Sequence, residues 1–513
     1  MKRLFLFVLP LAAWASGPNV TQVLNNSSGI IPGLPNSGVA PSSIIVIQGT
    51  GLANPGTAVL QSSAGAGIPL TLNGASISVT VNGVTTHPGI YYAIPTQIAA
   101  VLPAATPVGT GTLTVTYSGS ASNAAPIQVV ASAVGINYYN TNSAVATDSS
   151  YNLLTSTNSA SPGQSITLWV TGLGADPADS DTVYTATPHA VNTPLQIYFG
   201  GVLGAIVYQG SAGYPGVNQI NVTIPASAPL GCGVTVAAVT GTTVSNTAGI
   251  PIAMGGGTCP DAETTSTSNF GPNVVVALVA AFQQTAPSNV AGNLAGTTNE
   301  ITGNFVSTPL SAYPPSSPSA SLGQCTVSPI VQSVSIPSTF LDAGVITVTA
   351  PVGSAVPIPE LATGFYQGEL GSGAIPATGG SFVFKGVGGR DVGPFTATVT
   401  LSNPLFSWTN QASATAITRS QGLQIQWSGG NAGDIVAITG SSMASGVGAI
   451  FSCGIPVSAG QFTVPPYILL GLPFGTGTIF VGSVHNVSYT ATGLPYPGSA
   501  SAGAEITLNT TFK

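Results

Sequence analysis

The chain has 513 residues, of which only 4% are Asp, Glu, Lys or Arg, and a net charge of −7; an ordinary domain carries about 25% charged residues. Phosphate backbones and anionic lipid headgroups are held mainly by Lys and Arg, so the six present exclude nucleic acid and point away from charged membrane surfaces. The length suits about three or four domains with cores of their own.

Residues 1–15 read as a secretory signal. Lys2 and Arg3 form a basic start, Leu4 to Ala12 is an apolar run broken by Pro10, and Ala13-Trp14-Ala15 is an A-x-A cleavage site. No later apolar run reaches the ~18 residues a membrane helix needs; the nearest, Val274–Phe282, is too short. No integral membrane span is therefore expected, and the mature chain should be secreted or sit at the cell surface. Disorder is not expected, because aliphatic and β-branched residues recur throughout. The mean hydropathy of +0.44 comes from Ala, Val, Ile and Gly with few charges, which leaves a surface of Ser, Thr, Asn, Gln and Gly.

Alternation at period two dominates from the start: Ser43–Ile47, Ile77–Val81 and Thr112–Thr116, then Ile166–Val170 and later Leu423–Trp427. Short strands bounded by Gly, Pro and Asn, with an Asn82-Gly83 hairpin signal, predict β-sandwiches. One phrase is written twice. Gln97-Ile-Ala-Ala-Val-Leu-Pro103 with Gly109 is echoed by Gln219-Ile-Asn-Val-Thr-Ile-Pro225 with Gly231. Around it, Ser43–Pro55 matches Ser165–Pro177 with small gaps, Val79–Val84 matches Ile197–Val202, and Ser122-Asn123 matches Ser245-Asn246. The same order at similar spacing predicts two copies of one sandwich, 19–131 and 132–255. Each Pro cannot donate to a ladder and should end its strand, and each Gly should supply a positive φ before the next.

These phrases, with Gly49-Thr-Gly-Leu-Ala53 and Thr171-Gly-Leu-Gly-Ala175, resemble the paired IPT/TIG-like (immunoglobulin-like) repeats of an uncharacterised family of secreted proteins from soil bacteria. The resemblance covers roughly 19–255. It implies a tandem pair of extracellular immunoglobulin-like sandwiches and brings no catalytic residues.

Residues 256–272 read as a linker rich in Gly, Ser and Thr. Beyond it the pattern stays β, with strands expected at Val274–Phe282, Glu300–Val306, Gly344–Ala350, Ser381–Lys385, Pro394–Leu401 and Gln461–Val464, and a loop at Ser311–Ser321. The fold class is thus all-β: tandem sandwiches followed by a β-rich region, 273–513, of one module or two, with a seam near Asn403–Gln411 in the second case. Four Cys without a C-x-x-C suit an oxidising compartment. Pairing neighbours gives Cys232–Cys259 and Cys325–Cys453, one of three connectivities open to four cysteines.

Chemistry is sparse. His87, His189 and His485 fall one per region, without metal-ligand spacing. The first repeat holds no carboxylate, which rules out a paired-acid glycosidase site within it. Asp176, Asp179 and Asp181 form the one dense acidic stretch; it is read either as a solvated loop or as a Ca²⁺ site, without the EF-hand pattern. No other cofactor is expected. Tyr91, Tyr92, Tyr138, Tyr139 and Tyr214 are candidates to stack on sugar rings, or else to pack in the core, and Trp169 and Trp427 are read as core. The leading reading is a non-catalytic module protein for adhesion, matrix assembly or carbohydrate binding, with polysaccharide or other surface and matrix proteins as partners. The alternative is a secreted hydrolase using acids of 273–513 such as Asp342, Glu360, Glu369, Asp391 or Asp434.

Overall fold

The computed structural model describes residues 17–140, 142–259, 273–286, 296–309, 322–330 and 337–513. The expected signal segment 1–15, most of the expected 256–272 linker and the expected Ser311–Ser321 loop lie outside the described residues. The sheets of the two sandwiches follow from short alternating strands. In Ala75–Val81 every second residue is buried, the period-two signature of a sheet with one face in a core.

The first sandwich packs a sheet ordered Asn19–Asn25, Ser43–Thr50, Gln97–Leu102, Gly89–Ile94 against one ordered Ala125–Val129, Gly109–Tyr117, Ala75–Val81, Thr71–Leu72. The second repeats that order except at the last place, where Val202–Leu203 follows its partner strand in the chain and Thr71–Leu72 precedes its own. Gly135–Ile136, Ser165–Thr171, Asn218–Thr223 and Ala205–Ser211 make one sheet, and Ala248–Ile252, Gly231–Thr240, Gln196–Phe199 and Val202–Leu203 run through the other. The two Gln-Ile strands occupy the same place, second from one edge. Ile98 faces Ile47 across its ladder, and Ile220 faces Leu168. Each sandwich has its own apolar core, centred on Ile45, Ile77, Ile98 and Leu113 in one and on Leu168, Ile197, Ile220 and Ile250 in the other. Burying side chains of this size stabilises by roughly 1.5–3 kcal/mol each, and no ion pair between Lys or Arg and an acid lies in either core.

The repeated punctuation has the expected local effect. The Gln-Ile strands stop before Pro103 and Pro225. Gly109 and Gly231 open the next strands at φ 147° and 156°, a conformation that a side chain disfavours. Asn82 and Gly83 both take positive φ, 49° and 79°, and join two ladder strands in a tight hairpin.

Ser122-Asn123 and Ser245-Asn246 make the same bonds in both copies. The Asn123 amide accepts from Val20 N (2.7 Å) and donates to Val20 O (3.0 Å). The Asn246 amide does the same to Ile136 N (2.9 Å) and Ile136 O (3.0 Å). A side chain from one sheet thereby imitates a ladder partner for the first strand of the facing sheet. The preceding serines turn inward, accepting from Val115 N and Ala238 N.

In the C-terminal region an 11-stranded sheet carries four long strands, Asn273–Ala286, Gly296–Pro309, Gly475–Tyr489 and Gly498–Phe512. Its strands come from both sides of Asn403–Gln411. A four-stranded sheet containing Gly380–Gly386 and Phe395–Leu401 and a three-stranded sheet containing Leu423–Ser428 complete the region. Phe305, Phe382, Phe384, Trp408, Trp427 and Phe451 belong to its core, which also takes in Ile30 and Leu34 of the first sandwich and Val239 and Val244 of the second. The strands at 273 and 296 are longer than the alternation suggests, because Gln, Thr and Asn continue the ladder beyond the apolar stretch. The structure pairs Cys232 with Cys259 and Cys325 with Cys453; Cys325 and Cys453 stand directly opposite in one ladder.

Trp169 departs from its reading as core. Ile166, Leu168 and Val170 take the buried face of their strand, so Trp169 points outward. There it lies 6.4 Å from Tyr151 and donates to the Thr147 hydroxyl. Trp427 is buried as expected.

If the amide clamps hold the sheets in register, Asn246→Ala should lower the unfolding free energy by about 1–3 kcal/mol, the cost of leaving buried backbone groups unpaired. Denaturant titration of the variant beside Asn123→Ala measures this; the smaller loss is expected at Asn123, which is exposed where Asn246 is half-buried.

Candidate functional site: a tyrosine cleft between the sandwiches

The two sandwiches meet through polar contacts that involve no cation. The Thr171 hydroxyl accepts from Ile44 N (2.9 Å) and donates to Gly216 O (2.5 Å). The Asn25 amide donates to Ala133 O (2.8 Å), and Asp176 N donates to the Ser42 hydroxyl (3.0 Å). Backbone bonds run from Ile68 N to Thr182 O and from Tyr184 N to Ser63 O.

Beside this junction lies a cleft of about 400 Å³. Tyr91 and Tyr92 of the first sandwich and Tyr214 of the second line it, with Leu60, Gln61 and Asn26. No lining side chain is charged. Alternation alone would send Tyr91 and Tyr92 to opposite faces. The ladder, however, shifts register between Ile90 and Tyr92, with Ile90 opposite Ala100 and Tyr92 opposite Ala99. A bulge places two residues against one and re-aims side chains, and both rings reach the cleft. Tyr91 donates to Pro215 O across the junction (2.9 Å). The Tyr92 hydroxyl accepts from the Gln97 amide (2.5 Å), giving the first repeated Gln a positioning role. Burial pushes the Tyr91 phenol up to about 12, partly opposed by a hydrogen bond with Ser63 and reinforced by Asp179 and Tyr214. Burial also raises Tyr92. Tyr214 is half-exposed and packs on Tyr184 with ring centroids 5.0 Å apart.

Three of the five tyrosines singled out from sequence therefore come together. Tyr138 lies apart, at the edge of a smaller cavity beside Ser28, Asn142 and Asn246. Tyr139 donates to Leu154 O and belongs to the second sandwich. Asn26, Leu60 and Gln61 line the cleft but carry no sequence signal of their own; Tyr184 packs on Tyr214 and is not part of the lining.

The acidic stretch serves the junction. Asp181 accepts from Ala104 N (2.9 Å) and Asp179 from the Ser211 hydroxyl (2.6 Å), while Asp176 caps Ala178 N (3.2 Å) and is buried. Burial, and then Asp179, raise the Asp181 carboxyl above its usual range, against the lowering bond from Ala104. Among the described residues no group of three or more His, Cys, Asp or Glu side chains is placed to hold a metal ion.

Of the acids of the hydrolase alternative, Asp342 and Glu360 both lie near the Tyr366 phenol, raising it after the larger effect of burial. Asp342 and Asp391 brace one turn with Arg390. Glu360 caps Gly364 N, and Glu369 stands opposite Glu300 in a ladder. Asp434 meets His485 at 2.7 Å, and no hydroxyl bonds that ring among the described residues. One acid unmarked in the sequence is Glu505, on Gly498–Phe512. Burial first, then Glu300 one strand beyond Asn273–Ala286, push it up to about 7.

No family model matches the chain, and no curated protein matches its sequence. Among solved structures, it is similar to the extracellular region of plexin A4 at 13% identity and a TM-score of 0.16, over 95% of this chain and 31% of the plexin chain. It thus spans about a third of the plexin's length. It is also similar to a tetra-tandem repeat of a large adhesion protein (11% identity, TM-score 0.13, 96% and 100% of the two chains). A third is the SGBP-B of a mixed-linkage glucan utilization locus of Bacteroides ovatus, solved with a mixed-linkage heptasaccharide (12%, 0.14, 88% and 98%). At such scores these likenesses carry no assignment of role. Among the described residues no helix is long and apolar enough to cross a membrane.

Two outcomes are expected. A carboxyl whose folded pKa is raised contributes most below its unfolded pKa, and that contribution is lost as pH rises through the folded value. Stability should therefore fall between about pH 4.5 and 7, and Glu505→Gln should flatten that slope, by roughly 3 kcal/mol at pH 8. Denaturant unfolding across that range checks it. A chelator should leave the thermal midpoint unmoved; a drop would return Ca²⁺ to Asp176, Asp179 and Asp181.

Proposed function

We propose that this is a non-catalytic secreted or cell-surface protein whose paired sandwiches hold a neutral polysaccharide in the tyrosine cleft. The observation that carries the reading is the convergence of Tyr91, Tyr92 and Tyr214 on one uncharged cleft with Gln61 and Asn26. Aromatic faces suit the C–H faces of a pyranose, and their hydroxyls together with side-chain amides suit its hydroxyl groups. The volume lies within the ~300–1,000 Å³ of small-ligand sites. With no charged group in the lining, an uncharged sugar loses no ionic hydration that the site fails to replace. The junction bonds hold the rings in place before a ligand arrives, which lowers the ordering cost of binding. Export is supported by the signal-like residues 1–15 and by the two disulfides.

The full chain should bind at least one neutral polysaccharide on an array, with Tyr214→Ala and Tyr92→Ala each weakening it about tenfold, near the 1.4 kcal/mol such an aromatic contact supplies. Calorimetry on the hit measures the loss, and far-ultraviolet dichroism confirms that the variants stay folded. Undiminished binding by the double variant, or no binding to any neutral glycan, would defeat the reading.

A further inference from the structure

Only four Lys and Arg follow residue 3: Lys385, Arg390, Arg419 and Lys513. Arg390 pairs with Asp391. Two of the remaining three, Arg419 and Lys513, line a single cavity of about 580 Å³ remote from the tyrosine cleft. Its walls come from all three parts of the molecule. Gly33 and Pro35 belong to the first sandwich, Thr242 to the second, and Thr418, Ser420 and Phe474 to the C-terminal region.

Arg419 is 4% exposed. Its Nη1 donates to Leu470 O (3.2 Å) and Leu472 O (2.5 Å), and its guanidinium carbon lies 3.5 Å from the centre of the Phe474 ring. Its Nε is buried and has no hydrogen-bond partner among the described residues. No Asp or Glu side chain lines the cavity, and the two ion pairs among the described residues involve neither Arg419 nor Lys513. A buried guanidinium without an Asp or Glu partner is costly, and the carbonyl and ring contacts offset only part of that cost; on the same lining the Lys513 main-chain carbonyl oxygen accepts from Arg419 N (3.0 Å). Burial accordingly draws its pKa down. A buried guanidinium and a second cation on the same lining are the elements of an anion site. Thr242, Thr418 and Ser420 place hydroxyl-bearing residues on the same lining.

We propose that this cavity binds an oxyanion, with Arg419 as the principal donor and Lys513 as the second charge. The chemistry is that of a carboxylate, sulfate or phosphate group, carried by an acidic saccharide or free in solution. It is independent of the neutral cleft between the sandwiches.

The test uses the full chain with galacturonate, inorganic sulfate and inorganic phosphate, and with galactose as the uncharged control, followed by calorimetry and thermal midpoint. At least one anion should bind saturably and raise the midpoint, and galactose should do neither. Lys513→Gln, at an exposed position, should weaken that anion roughly threefold to tenfold, and Arg419→Lys, which keeps the charge but loses the fork, by more than tenfold. Galacturonate binding tighter than sulfate and phosphate assigns an acidic saccharide; the reverse order assigns a free inorganic anion. If Arg419→Lys does not fold, Lys513→Gln and the loss of binding at raised salt decide. Absence of binding by all three anions overturns the site, as does binding that neither variant changes, which would leave Arg419 as a pin for the 470–472 turn.

Discussion

The junction between the sandwiches is the constraint on which the rest depends. Thr171 stands at its centre, one hydroxyl satisfying a backbone donor of the first sandwich and a backbone acceptor of the second. Asn25 and Ser42 add two more bonds across the same seam. These are short, directional bonds between neutral groups and backbone, so salt does not screen them as it screens surface ion pairs. A hinge at this point would separate Tyr91 and Tyr92 from Tyr214 and dissolve the cleft. With the junction fixed, the rings are held by contacts within the protein itself.

The same β-bulge occurs in both copies and serves them differently. In the first sandwich the register shifts between Ile90 and Tyr92, and in the second between Ile206 and Tyr208. The extra residue is Tyr91 in one and Val207 in the other. Tyr91 turns into the cleft and bonds across the junction, whereas Val207 is left 71% exposed. Tyr208, at the place of Tyr92, donates to backbone carbonyls of its own sandwich. The scaffold is therefore repeated, while the tyrosine cleft is built once, where the two copies meet.

The legible part of this structure was the local part. Alternation marked the strands, Pro103 and Pro225 their ends, and Asn82-Gly83 a hairpin, because each acts through its own backbone. The repeated phrase gave the strand order of the second sandwich from that of the first. The Gln-Ile strands fall in equivalent positions, and the Ser-Asn pairs make equivalent bonds. The site was only half legible. Tyrosines could be named as candidates, but a bulge depends on how two strands pair, and nothing in Ile90-Tyr91-Tyr92 announces it. Trp169 was misplaced for a related reason: an aromatic in an alternating strand faces inward only if its neighbours do not, and Ile166, Leu168 and Val170 had the stronger claim. The bonds that the acidic stretch makes to Ala104, Ser211 and Ser42 could not be read from it, because those partners are distant in sequence.

The scarcity of charge changes what the remaining charges mean. In an ordinary domain most Lys, Arg, Asp and Glu solvate the surface, and any one of them says little. Here Ser, Thr, Asn and Gln take that task, and several rare charged groups lie inside. Asp176 and Asp181 sit in the junction, Glu505 within a broad sheet beside Glu300, and Arg419 where all three parts of the chain meet. Each pays a desolvation cost that a neutral residue would avoid. For Asp181 the return is visible in a bond that ties one sandwich to the other. For Arg419 two carbonyls and a ring account for part of the guanidinium and leave Nε idle. In a chain so sparing of cations, that guanidinium is buried with only part of its donors satisfied among the described residues, on a lining it shares with Lys513.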